Sequence, residues 1–315
     1  MKYLNGTSNY LKDGFAVSGF SEYAGRCLAE LARDIKAPGY AMAGEQACLD
    51  RLHEHIQAEP YRWFESRANL AAEQVEMWHA RPLTRLADPL LYECIQEACA
   101  ALKISNSAAF IFEQDGDRRY GASAMRHMDV MWLFVSRHFR ENEILSDLEL
   151  SFIVGGMLGG AAACHADIAE TQDLTPEQSR AQGLTEDRAG FLAVLWRSVR
   201  MYPSLSADEL VYKAVQASAR TIHKLDMLRT LKKNQSPTPQ MLQQMMEKSP
   251  VSERHARKDD RRPASWERIE ALRQFAASIA FVRCISALWG ESHLIVQSYS
   301  GTELLQKNVS GCALD

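Results

Sequence analysis

Apolar residues recur at helical spacing along most of the chain. In its first half, this spacing predicts helices over residues 21–36, 42–58, 61–80, 86–104 and 122–140. Three capping-box spacings, which satisfy the free amide groups at a helix start, mark later helices: Ser146 with Glu149, Thr175 with Gln178, and Ser206 with Glu209. With a further N-cap at Thr185, they predict helices over 146–170, 175–182, 185–201 and 206–231. The pattern therefore indicates a mainly α fold.

Two segments interrupt the helical pattern. Residues 108–120 predict a short β-hairpin, because an apolar run precedes Asp115-Gly116, a pair typical of type I′ turns. After a helix that begins at Ser265, residues 293–299 predict a strand, and residues 302–307 predict a short terminal helix. We therefore predict a multi-helix globular bundle with one short β-hairpin and a small C-terminal helix-strand segment.

One predicted helix contains two glycine pairs, and its glycines are Gly155, Gly156, Gly159 and Gly160. Each glycine costs about 1 kcal/mol relative to alanine inside a helix. Close packing of a neighbouring element against this stripe is the expected compensation, so we place this helix at the centre of the fold. The uncharged window 150–166 is at the lower limit for a membrane span, and its residues are mostly small. We interpret it as a core helix and expect no membrane partner.

Composition changes after Leu231, where prolines and basic residues replace large apolar ones. We predict three parts: a helical domain over 1–231, a charged mobile linker over 232–264 with a short helix at 240–248, and a segment over 265–315 that docks on the main domain or a partner. Five basic residues in the linker are candidates for contact with a polyanion: Arg254, Arg257, Lys258, Arg261 and Arg262.

The charge balance argues against a protein devoted wholly to nucleic acid. The formal net charge is −4, although the stretch 229–262 carries nine basic and four acidic residues. The seven cysteines form no C-x-x-C pair, which favours reduced thiols. Since the first residues also lack the apolar core of a signal peptide, we expect a cytoplasmic protein.

Two acid-histidine spacings are the candidates for a metal site. Asp50 precedes His53 by three residues, and Glu76 precedes His79 by the same interval. Residues three apart share a helix face, and helical bundles build di-metal sites from such pairs. Both pairs lie at the edge of an apolar stripe, where solvated residues also begin. No further carboxylates complete the set, so we favour no cofactor and keep a divalent metal as an alternative.

The step His165-Ala-Asp167 resembles the metal-binding His-Asp step of the HD phosphohydrolases, with His127 or His138 as a further ligand. In that family the two residues are adjacent, whereas an alanine separates them here. Two positions on a helix correspond to about 200° of rotation, so the side chains point to nearly opposite faces. We interpret the step as the end of a helix.

The sequence contains no nucleotide-binding glycine loop and no serine-hydrolase elbow. Our leading hypothesis is a non-enzymatic helical binding or adaptor protein that contacts a protein partner, or a second copy of itself, through the charged linker. A metal-dependent enzyme using the two acid-histidine pairs is one alternative. A nucleic-acid accessory factor acting through residues 232–264 is the other.

Overall fold

The computed structural model describes residues 35–113, 120–127, 130–140, 143–231, 237–248, 263–291 and 293–300. The fold is mainly α, as predicted. Its helices are α1 Glu45–Ala58, α2 Pro60–Met77, α3 Pro89–Leu102, α4 Asp147–Ala162, α5 His165–Thr171, α6 Pro176–Met201, α7 Ala207–Thr230, α8 Pro239–Lys248, α9 Ser265–Ala276, α10 Ile279–Trp289 and α11 Leu294–Ser300. Its strands are β1 Arg81–Pro82, β2 Asn106–Phe112, β3 Ala122–His127 and β4 Val130–Ser136.

Helix α4 lies at the centre of the core. It is buried on all sides, and it packs against α6, α3, α7 and the sheet. Its start is fixed locally, since the Glu149 N–H donates to Ser146 Oγ (3.4 Å) and the Ser146 N–H donates to Glu149 Oε2 (2.7 Å). The capping boxes at Thr175 and Ser206 also form both of their hydrogen bonds. These three helix starts are therefore confirmed.

The glycines of α4 face α6 at close range. A methyl group added at Gly155 or Gly159 would collide with a methyl group of α6, on Ala193 or Ala189 respectively. The contact is reciprocal, because a Cβ atom at Gly190 of α6 would lie 2.6 Å from the Phe152 carbonyl oxygen. Such close approach of two backbones gives the dispersion contacts that compensate for glycine in a helix.

A small mixed sheet packs beside α4. The strand order is β1-β2-β4-β3, with β2 and β4 parallel and the two outer pairs antiparallel. The register sets Phe110 opposite Phe134, and their rings stack with centroids 5.3 Å apart. Because β2 and β4 are parallel, both end at the same edge of the sheet.

The helix predicted over 122–140 is wrong, since this region forms β3, β4 and a 3-10 turn over Arg137–Phe139. Strand β4 lies between two other strands, and most of its side chains are buried. A strand buried on both faces is a continuous apolar run, and such a run also fits helical spacing. The tertiary position of the segment decides its structure.

Other predicted elements differ from the structure or lie outside the described residues. The first arm of the predicted hairpin, residues 109–112, lies in β2, but β2 pairs with β1 and β4 and not with a second hairpin arm. The predicted turn, Asp115 and Gly116, lies outside the described residues. Residues 294–300 form helix α11 where a strand was predicted, and the helix predicted over 302–307 lies outside the described part. The helix predicted over 21–36 also falls outside it, apart from its last two residues, which are not helical.

The helices around the core differ from prediction at two junctions. The predicted helix 146–170 breaks at Cys164, whose φ of 56° is left-handed, so α4 and α5 are separate. Conversely, 175–182 and 185–201 form one helix, α6, because Thr185 is buried and bonds α1 instead of capping a helix. Helix α9 of the C-terminal segment packs on α6 and α7.

Within the described residues, no single helix is long and apolar enough to cross a membrane. Two bent pairs of helices meet the length and composition limits together: α4 with α5, bent by 51°, and α9 with α10, bent by 71°.

Candidate functional site

A buried charged cluster occupies the break between α4 and α5. His165, the first residue of α5, lies between two carboxylates: its Nδ1 is 3.1 Å from Glu186 Oε1, and its Nε2 is 3.2 Å from Glu45 Oε2. The Thr185 hydroxyl donates to the other oxygen of Glu45. Gly160 makes room for this cluster, because a Cβ atom there would lie 2.8 Å from Glu186 Oε1.

The surroundings of His165 keep it charged. Burial lowers the pKa of this side chain, but the hydrogen bonds to Glu186 and Glu45 outweigh burial and raise the pKa to about 9. The imidazolium therefore persists at neutral pH, with both ring nitrogens donating. A general base must be unprotonated at its working pH, so this histidine serves as a structural cation that joins α1, α5 and α6.

We expect the fold to lose stability as pH rises through 9. The folded-state pKa of His165 lies above the ordinary value of 6.5, so its contribution is complete below pH 6.5 and disappears as pH passes about 9. The contribution is roughly 3 kcal/mol. In urea unfolding, wild type and His165→Gln should differ most at pH 6.5 and least near the alkaline limit. A difference that stays constant with pH would contradict the ion pair.

Asp167 has a different environment from its neighbour His165. Its Oδ1 lies 2.8 Å from Arg67 Nε, and Arg67 also pairs with Glu170. Burial raises the pKa of Asp167 to about 6, against the opposing effect of Arg67. His165 and Asp167 thus have separate partners, as the 200° rotation between them implies, and the structure shows no shared HD-type site for them.

The two acid-histidine pairs lie on the first two helices. Asp50 is exposed and accepts from Gln46 Nε2 at 2.9 Å, while His53 has a buried Nε2 without a hydrogen-bond partner. Glu76 is exposed, and His79 follows the end of α2 with a left-handed φ of 46°. Across the described part of the chain, no group of three His, Cys, Asp or Glu side chains is placed to hold a metal ion.

The basic residues of the linker, Arg254, Arg257, Lys258, Arg261 and Arg262, all lie outside the described residues. Contact with a polyanion through them stays a prediction. The short helix predicted at 240–248 is α8, and its Leu242 is fully buried in a cluster with Ile144 and Leu228. At least this part of the predicted linker packs on the main domain.

An open groove lies where the parallel strands β2 and β4 end. We call it the arginine groove; its volume is about 780 Å³, within the usual range of ligand sites. It is lined by His79, Arg81, Pro82, Ala87, Asp88, Pro89, Ile111, Phe112, Glu113, Arg137 and Arg140. In open α/β sheets, the crevice beyond the carboxyl ends of parallel strands is the usual position of a ligand.

Two of the three arginines of this groove, Arg81 and Arg137, are available to an external anion. The third, Arg140, is already paired. Arg140 Nε donates to Asp88 Oδ2 at 3.1 Å, and Asp88 also caps α3. Arg137 is 65% exposed, and its pair with Glu113 is 3.5 Å long and equally exposed; such surface pairs contribute little. Arg81 is exposed and has no ion pair with any described residue.

No family model, curated protein or solved structure matches this chain significantly. The site therefore rests on its own geometry. Sequence reasoning missed the arginine groove, because its residues come from four separate segments that only the assembled fold brings together.

Proposed function

We propose that this chain is a binding protein that captures an acidic, partly apolar segment of a protein partner in the arginine groove. The observation that supports this proposal is the coincidence of available arginines with apolar walls. Arg81 and Arg137 flank a groove whose walls include Pro82, Ile111 and Phe112. Carboxylates of the partner would pair with the arginines, which present planar donor forks suited to that geometry.

Charge and exposure favour this partner. The groove carries three arginines and two carboxylates, whereas the whole chain has a net charge of −4. A single-stranded nucleic acid needs exposed aromatic rings for base stacking, but Phe112, the one aromatic residue among the lining residues described, is 3% exposed. Leu86, by contrast, offers a large apolar contact beside the groove, which suits a side chain of a protein segment.

The test is peptide binding measured by fluorescence anisotropy. A labelled peptide of alternating glutamate and leucine should bind, and Arg137→Glu should weaken binding at least tenfold by removing a cation and adding a repelling charge. Raising the salt concentration should weaken binding as well, because the site is exposed to screening.

The matched control is Arg62→Glu, a charge reversal at a side chain that is 82% exposed on α2 and away from the groove. It should leave peptide binding unchanged. An equal loss of peptide binding in both variants would show that the effect comes from net charge alone, and it would contradict the proposal. Binding of an oligothymidylate that is lost in Arg137→Glu, without peptide binding, would favour the nucleic-acid alternative.

The other two functional hypotheses have less support. The acid-histidine pairs do not assemble a metal-binding group among the described residues. The basic linker residues lie outside the described part of the chain. The arginine groove is therefore the site on which we base the functional proposal.

A further inference from the structure

A second groove lies at the start of α4, at the opposite end of this helix from the charged cluster, and is bordered by α7. We call it the α7 groove, and its volume is about 710 Å³. One wall is a single face of α7, on which Glu209, Tyr212, Gln216 and Arg220 recur at helical spacing. The first turn of α4 forms the other wall, and Tyr202 from the α6–α7 connection lines one end.

Glu149 is the unusual member of this groove. Its side chain is 1% exposed, and its Oε2 accepts from the Ser146 N–H and from Lys224 Nζ, each at 2.7 Å. Its Oε1 is buried without any hydrogen-bond partner. A buried oxygen left without a donor costs about 1–3 kcal/mol. A ligand that donates an N–H hydrogen bond to this oxygen would therefore gain binding free energy.

We propose that the α7 groove binds the amino-terminal end of a short extended peptide, with the peptide's ammonium group at Glu149. Arg220 lies one helical turn before Lys224, the residue that marks the Glu149 end of the wall. It is exposed and has no ion pair or hydrogen bond with any described residue, so it is free to donate to a main-chain carbonyl of the peptide. Capture of an amino terminus is an established mode of peptide recognition.

The dimensions of the groove agree with this ligand. Glu209 and Arg220 are eleven positions apart on α7, which corresponds to about 16 Å at the helical rise. An extended chain covers that distance with about five residues. Apolar side chains of the peptide would contact Tyr202, Tyr212 and Met201, of which the last two are 51% and 41% exposed.

The charges of the groove select against a strongly charged ligand. The lining of the groove includes three carboxylates, on Asp147, Glu149 and Glu209, and two cations, on Lys213 and Arg220, while Lys224 pairs with Glu149. Lys213 already lies over the ring of Tyr202, with its Nζ 4.0 Å from the centroid. A peptide main chain, which is neutral and alternates donors with acceptors, matches such walls better than an ion.

Calorimetric titration of the full chain with the peptide Ala-Tyr-Ala-Leu-Ala, amidated at its carboxyl end, tests the proposal. We expect binding that weakens at least tenfold when the same peptide is acetylated at its amino terminus, because acetylation removes the ammonium group. Arg220→Ala, at an exposed position, should weaken binding of the free peptide at least threefold. Arg62→Glu, a charge reversal at a side chain that is 82% exposed on α2 and outside this groove, should leave it unchanged.

Glu149→Gln should remove the preference for the free amino terminus, provided that its far-UV circular dichroism matches wild type. Equal affinity of the free and acetylated peptides for wild type would overturn the proposal, as would the absence of binding up to millimolar peptide. Because Arg220→Ala does not depend on the capping box of α4, it keeps the test decisive if Glu149→Gln fails to fold.

Discussion

Gly159→Leu is expected to destabilise the fold by about 3 kcal/mol or more, through overpacking of the contact between α4 and α6. Even the first methyl group of a longer side chain would collide with the Cβ atom of Ala189. That atom is fixed to the backbone of α6, so relief requires the two helices to separate. The fully buried ring of Tyr40 lies 3.5 Å from the same position, so the leucine side chain cannot turn toward that side either.

The matched control compares two glycine-to-alanine changes inside helices. At Gly183 of α6, an added Cβ atom would meet only Pro263, at an ordinary 3.5 Å. Gly183→Ala should therefore stabilise the chain by up to about 1 kcal/mol, the difference in helix propensity. Gly159→Ala should instead destabilise it by about 1–3 kcal/mol. Equal urea midpoints for the two alanine variants would contradict the close packing of α4 on α6.

Asp187→Ala is expected to destabilise the fold by about 3–5 kcal/mol, because it leaves a buried guanidinium without its counter-ion. Arg268 of α9 donates to both carboxylate oxygens of Asp187, at 2.8 and 2.6 Å. The two residues are 8% and 2% exposed. The pair joins α9 to α6, so its loss should also expose α9 to hydrogen exchange before the core opens.

Two variants separate this effect from a general sensitivity to charge. Arg62→Ala removes a partner from an ion pair whose side chains are 82% and 58% exposed, and it should change stability by less than about 0.5 kcal/mol. The double variant Asp187→Leu/Arg268→Met replaces both buried charges, and it should recover much of the loss. A double variant as unstable as the sum of its single variants would contradict direct coupling between the two charges.

The parts of the fold that local chemistry determines were predictable. The capping boxes at Ser146, Thr175 and Ser206 involve residues three positions apart, and all three form as expected. The helical class follows from apolar spacing in the same way. Strand β4 was not predictable, because its apolar run fits both a helix and a central strand until the sheet is assembled.

The candidate site was less predictable than the fold, for a different reason. The partners of the buried charges are far apart in sequence: His165 meets Glu45, which is 120 positions away, and Arg268 meets Asp187, which is 81 positions away. Spacing along a helix carries no information about such pairs. Likewise, Arg81 and Arg137 share a groove only because β2 pairs with both β1 and β4.

The break at Cys164 shows a related limit. Neither glycine nor proline marks this position, and the residue adopts a left-handed φ of 56°. The break turns His165 toward Glu45 and Glu186, so the ion pairs and the close packing around Gly160 hold a backbone that local propensity disfavours. Only the assembled structure supplies this compensation.

Hydrogen-deuterium exchange of the full chain, with and without the alternating glutamate-leucine peptide, tests the functional proposal most directly. We predict added protection in three segments that border the arginine groove, at residues 79–89, 111–113 and 137–140, and no such protection in Arg137→Glu. Protection confined to other segments, or protection at the groove that persists in Arg137→Glu, would contradict the assignment of this groove as the partner site.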